Sequence, residues 1–249
     1  MLPETPFYYY DIQLLKATLD AIAHEIEQYP NYHVHYALKA NANARLLEII
    51  QQAGMGADCV SGGEVQRAID AGFSADKIVY AGVGKSDREI LLALQHDIFC
   101  FNVESVPELH IINELAGKIG KTARVCLRIN PDVEAHTHTH IITGMAENKF
   151  GIALSDMMHV VEMAKELKHI SFVGLHFHIG SQITNMHDYV ALCQRINEIQ
   201  YQLNKHDIYP TVINVGGGLG IDYQDPDRNP IANFKAYFKV FTQHLHLRP

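Results

Sequence analysis

The feature that most constrains this chain is a repeat of apolar, strand-like runs alternating with amphipathic helical stretches. Most of the units are about 20–25 residues apart. Strands are predicted over Val34–Lys39, Gly56–Val60, Lys77–Ala81, Ile98–Val103, Ala123–Asn130, Ile170–His178 and Thr211–Val215. Helices are predicted over Ala44–Ala53, Gly62–Ala71, Asp87–Gln95, Val106–Gly117, Ser155–Leu167, Met186–Asn204 and Ile231–His244. This alternation implies parallel strands joined by helical crossovers. Either an open doubly wound sheet or a closed (β/α)8 barrel would satisfy it. The first strand–helix turn lacks a G-x-G-x-x-G fingerprint, and the array is long, so the barrel is expected. Seven units are counted where closure needs eight. The expectation is therefore an incomplete barrel over residues 31–249, with the eighth strand missing. Residues 1–30 add a short strand near Phe7–Tyr10 and a helix from about Ile12 to Glu27, capped by Asp11.

Composition excludes several function classes. Of 249 residues, 47% are hydrophobic and 19% charged, an ordinary globular profile. The net charge is −8 with no basic stripe, which argues against nucleic acid as a partner. Neither a leader nor a membrane-spanning apolar run is evident, so a cytoplasmic protein is expected. Cys59, Cys100, Cys126 and Cys193 are scattered and read as buried thiols. His136, His138 and His140 alternate, but with no acidic or cysteine partner near them a polar loop outranks a metal site.

In a (β/α)8 barrel, functional groups collect at the C-terminal ends of the strands. Here those ends carry Lys39, Asp58, Gly82, Asn102 with Glu104, Arg128 with Asn130, His178, and Gly216-Gly217-Gly218. Each alone is an ordinary polar strand end. Together they put an amine, a carboxylate, a guanidinium, an imidazole and a glycine turn on one rim. A lysine ending a buried strand is expected to be partly desolvated, which favours the neutral amine that forms Schiff bases. The glycine-rich turn after the seventh strand lets backbone N–H groups approach an anion. Ser181 adds a hydroxyl, and His176 reads as a core histidine satisfied by hydrogen bonds. Ser61 and Glu64 form a helix capping box and need no chemistry. A rim lysine, a phosphate nest and a flanking histidine describe a pyridoxal phosphate site.

These segments resemble the barrel domain of the diaminopimelate decarboxylases, in the alanine-racemase-like group of pyridoxal phosphate enzymes. The resemblance rests on Thr5-Pro6 with the following aromatics and Asp11, Tyr36-Ala37-Leu38-Lys39-Ala40-Asn41, and the run Asp58 to Glu64. It continues through Arg128-Ile129-Asn130-Pro131, Thr143-Gly144, Lys149-Phe150-Gly151, the run His176 to Ile183, and Gly216-Gly217-Gly218. By this resemblance Lys39 holds pyridoxal 5'-phosphate as a Schiff base and His178 stacks on its ring. Ser181 and Gly216, Gly217 and Gly218 hold the phosphate, while Asp58 and Arg128 support the ring. Lys39 and His178 are the implied catalytic residues, and no metal is implied. The implied reaction is decarboxylation of meso-2,6-diaminopimelate to L-lysine by a cytoplasmic homodimer. The resemblance also implies a C-terminal β domain beyond Pro249 that would include the Phe7–Tyr10 strand, so the isolated chain is expected to be poorly active. Related ornithine, arginine or carboxynorspermidine decarboxylases are the nearest alternatives, and a non-catalytic pyridoxal phosphate-binding barrel is another. The loop Gly82-Val83-Gly84-Lys85 departs from the family pattern in lacking an asparagine.

Overall fold

The computed structural model describes residues 4–133 and 150–247. After helix α1 (Ile12–Ile26) the chain alternates β1 (His35–Ala37), α2 (Ala44–Gln52), β2 (Gly56–Cys59), α3 (Gly62–Asp70), β3 (Ile78–Tyr80) and α4 (Asp87–Gln95). It continues through β4 (Cys100–Val103), α5 (Val106–Lys118), β5 (Ala123–Arg128), α6 (Met157–Glu166), β6 (Ile170–His176), α7 (Met186–Asn204), β7 (Val212–Asn214) and α8 (Phe234–His244). All seven strands are parallel and lie in sequence order β1 to β7 in one sheet. Strict sequence order excludes the doubly wound alternative, in which the order reverses at a switch point. Among the described residues β1 pairs only with β2 and β7 only with β6, so the sheet is an incomplete (β/α)8 barrel.

Local chemistry starts most of the helices where the pattern predicts, while α6 and α8 begin at Met157 and Phe234 rather than at Ser155 and Ile231. Asp11 Oδ1 accepts from the N–H groups of Gln13 and Leu14 at 2.9 and 3.0 Å. Ser86 and Glu89 form a reciprocal capping box on α4. Two layers then bury the sheet. Outward residues such as Ala57, Ile78, Tyr80, Phe101, Leu127 and Leu175 join the large core under the helices. Inward residues Val79, Cys100 and Cys126 form a smaller cluster, with Phe99, Val173 and Val212 against it. All four cysteines are buried and free, as expected.

All seven predicted barrel strands are shorter than expected, by one to three residues, and two differences bear on the site. Val34–Lys39 shortens to His35–Ala37, and Leu38–Ala40 is a 3-10 turn, so Lys39 sits past the strand rather than on it. The short strand predicted near Phe7–Tyr10 is absent. A strand needs a partner ladder, and these four aromatics are exposed, with the Tyr8 and Tyr10 rings stacked at 6.3 Å.

A bulge sets the phase of β6. Val125 pairs with Phe172 but Cys126 pairs with Gly174, leaving Val173 as an extra residue. Phe172 packs on the helix side, whereas Val173 joins the inner cluster. Two residues in succession bring the strand back onto the inner face, so His176 rather than Leu175 follows Cys126 and Arg128 inward. Among the described residues no helix is long and apolar enough to cross a membrane.

Candidate cofactor site

The sequence-predicted rim residues gather at the C-terminal end of the strands. Asp58, on β2, is half-buried. Burial pushes its carboxyl up to about 6, against the opposing pull of the positive charges of Lys39, His178 and Arg128; Glu64 adds to the rise. Groups from β5 and from the loops after β1 and β6 are thus all close enough to act on one carboxyl.

Lys39 itself is exposed, which corrects the expectation of a partly desolvated amine. The cause is the 3-10 turn, which ends the ladder before the lysine and carries its side chain clear of the sheet. That turn is well held. The Tyr36 hydroxyl donates to the Asn41 carbonyl at 3.1 Å, and Asn41 Nδ2 donates to the Tyr10 hydroxyl at 3.1 Å. Asn43 then caps α2 by accepting from the Arg45 N–H at 3.1 Å.

The loops after β6 and β7 are laced together. The Phe177 N–H donates to the Asn214 carbonyl at 2.8 Å, the Ile183 N–H to the Gly218 carbonyl at 2.7 Å, and the Gly220 N–H to the Ile183 carbonyl at 2.9 Å. Glycine is required here. Gly216 and Gly218 have φ of +73° and +105°, and a Cβ on them would overlap the carbonyl oxygens of Phe177 and Gly180. A Cβ on Gly216 would also come within 3.1 Å of His178 Nδ1, which puts the imidazole against the glycine turn.

The three glycines play different parts. The Gly216 N–H donates to Asn214 Oδ1 at 2.9 Å. Its role is close packing. The Gly217 and Gly218 N–H groups have no acceptor among the described residues. Gly217 is exposed, and a Cβ built on it meets nothing within 4 Å. Ser181 is exposed on the neighbouring loop. These two N–H groups, an available hydroxyl and open space fit a phosphate; the amine at Lys39 fits an aldehyde.

Arg128 is tied differently from the expectation. Its Nη1 donates to Glu104 Oε2 at 2.9 Å, with the two side chains 11% and 3% exposed. No hydrogen bond joins it to Asp58 among the described residues. A carboxylate this buried attracts the guanidinium more strongly than the half-buried Asp58 can. The guanidinium also lies 5.7 Å from the Phe150 ring centre. Sequence reading placed Glu104 on the rim but gave it no role. The available signal was a carboxylate just past one buried strand, facing an arginine at the end of the next.

His176 is buried, but its Nδ1 has no hydrogen-bond partner among the described residues, where a satisfied core histidine was expected. Its strand neighbours spend their groups elsewhere: Arg128 on Glu104, and the Asn214 side chain on the Gly216 N–H. Burial first, then the charges of Arg128, His178 and Lys85, hold its pKa well below the ordinary histidine range, so it is neutral. Ser61 and Glu64 do form the helix cap: the Glu64 N–H donates to Ser61 Oγ at 3.2 Å, and Glu64 Oε2 accepts from the Val60 N–H at 2.8 Å. His136, His138, His140, Thr143, Gly144 and Lys149 lie outside the described residues.

The model for the pyridoxal binding domain of pyridoxal-dependent decarboxylases matches residues 15–247. The chain belongs to this family. It is 59% identical to a diaminopimelate decarboxylase of Bacteroides thetaiotaomicron over 99% of its own length and 64% of the relative's. A diaminopimelate decarboxylase of Aquifex aeolicus is 40% identical over 91% of the chain and 53% of the relative. A mutant of the Helicobacter pylori diaminopimelate decarboxylase, solved with L-lysine, superposes with a TM-score of 0.90 at 36% identity, covering 98% of this chain and 61% of that one. The chain therefore spans between half and two thirds of the length of these relatives. The family's cofactor is the one the site geometry fits: an anion-binding turn, a flanking imidazole and a terminal amine.

The environment of Asp58 has a measurable consequence. A carboxyl whose folded pKa lies above its unfolded value favours the folded state most at low pH, and that advantage is lost as pH rises through the folded pKa. Asp58→Asn should thus match the parent near pH 4 and become more stable than it above pH 7, by at most about 3 kcal/mol and less because the half-buried carboxyl is partly screened by solvent. Denaturant melts across that range check this; a difference independent of pH would contradict it.

Proposed function

We propose that the chain binds pyridoxal phosphate through Lys39, and that the protein decarboxylates meso-2,6-diaminopimelate at its D-configured carbon to give L-lysine and carbon dioxide. The observation that carries the reading is the convergence of Lys39, His178 and Arg128 on Asp58, with His178 against the Gly216 turn. The substrate follows from the relatives' names, at 59% and 40% identity. When bound, the cofactor supplies an electron sink for the pair left behind by the departing carboxylate.

The chain's own residues do the rest. Lys39 Nζ holds the aldehyde, and the Gly217 and Gly218 N–H groups with the Ser181 hydroxyl hold the phosphate. His178 flanks the ring. Lys39 must lose its proton before it can act as a nucleophile. Asp58, poised near 6, is the group beside it that can take that proton and return it. Arg128, fixed by Glu104, keeps a positive charge that acts on Asp58. The amino-acid substrate, a homodimeric assembly and a cytoplasmic location complete the proposal; the four free buried thiols suit a reducing compartment.

Incubating the protein with pyridoxal phosphate and meso-diaminopimelate is expected to release lysine and carbon dioxide in equal amounts, with ornithine and arginine turned over at least 100-fold more slowly. Preferred decarboxylation of ornithine or arginine would replace the substrate assignment. Cofactor binding with no amino acid decarboxylated would leave a binding barrel.

A further inference from the structure

Behind Arg128 lies a group of buried charges that the proposed chemistry does not use. The Lys85 side chain is 1% exposed and its ion-pair partner Glu108 11%. Lys85 Nζ donates to Glu108 Oε1 at 2.7 Å, to the Gly82 carbonyl at 2.7 Å and to the Asn102 carbonyl at 3.0 Å. All three donors of the ammonium are thereby used. Glu108 Oε2 accepts from the Glu104 N–H at 2.9 Å. The Glu104 carboxylate then bridges two donors, the Gly82 N–H at 3.0 Å and Arg128 Nη1 at 2.9 Å.

The bonds form a closed circuit from the loop after β3, through the end of β4 and the start of α5, to the end of β5. Stability does not account for it, because buried ion pairs commonly do no better than apolar residues of the same volume. What the circuit does fix is direction. Lys85 grips both flanks of Glu104, through Gly82 on one side and Glu108 on the other, and so leaves its carboxylate one position from which to hold the guanidinium.

We propose that Lys85 is a positioning residue for the cofactor site, acting through Gly82, Glu108 and Glu104 to hold Arg128 beside Asp58. This rests on the pyridoxal phosphate reading of the site. Burial first, and then the nearby Glu104 charge, raise the Glu108 carboxyl, and Lys85 is the main influence opposing that rise, so loss of the lysine would also free Glu108 to take a proton.

The test compares the parent protein, Lys85→Met and Lys85→Met/Glu108→Leu by pyridoxal phosphate titration, followed through absorbance, alongside thermal melts. Lys85→Met is expected to lower the melting temperature and weaken pyridoxal phosphate binding at least tenfold. The double variant, with no unpaired buried charge, is expected to regain the parent melting temperature while binding stays at least tenfold weaker. Both are expected to keep the Lys39-dependent absorbance at saturation. Glu104→Gln, which keeps an acceptor for Gly82 but removes the counter-charge of Arg128, is expected to weaken binding by a similar factor. Affinity that recovers together with stability in the double variant, or unchanged affinity in Glu104→Gln, would overturn the proposal. Absence of any Lys39-dependent absorbance in the parent protein would instead overturn the site reading on which it rests.

Discussion

Lys39→Ala is expected to eliminate the visible absorbance that develops when pyridoxal phosphate is added, and to weaken retention of the cofactor through gel filtration by at least 100-fold. The protein should stay folded. Lys39 is exposed on a turn whose backbone is held by Tyr36, Asn41 and Asn43, and its loss removes no buried contact. The expected change in stability is within about 0.5 kcal/mol. Lys39→Arg sharpens the test. It keeps the positive charge that acts on Asp58, but a guanidinium stays protonated and is no nucleophile. It should fold as well as the parent and still show no absorbance. An unchanged spectrum in either variant would move the attachment point to another amine. A spectrum lost together with the fold would mean the residue has a structural role its surroundings do not suggest.

Gly174→Ala is expected to be the most damaging single change outside the rim. Its added Cβ would overlap the Val212 carbonyl oxygen, which belongs to the neighbouring strand and cannot swing aside. A loss of about 3 kcal/mol in denaturant melts is expected, with the cofactor spectrum retained in the fraction that folds. A Gly174→Ala protein as stable as the parent would show that β6 and β7 can separate without penalty.

Much of the architecture was legible in the residues because its causes are local. Helices α4 and α7 run over the predicted residues Asp87–Gln95 and Met186–Asn204, since caps and apolar periodicity both lie within each segment. The strand ends were less legible. Whether Leu38-Lys39-Ala40 continues β1 depends on what β2 offers as a partner, and the ladder stops at Ala37 opposite Asp58. The partner of Arg128 was equally hidden. Asp58 and Glu104 are both acidic and both near strand ends, and only their depth of burial selects Glu104.

The residues alone determined the order and type of the elements, the parallel direction of the strands and the chemical kinds gathered on the rim. Those depend on periodicity, capping and turn chemistry, which act over a few residues at a time. Tertiary structure decided which faces those kinds present: the bulge that turns His176 inward, the exposed position of Lys39, and the buried circuit that ends at Arg128. Each of these depends on contacts between segments far apart along the chain, where the energy of a charge or a β-carbon is set by what another strand places beside it.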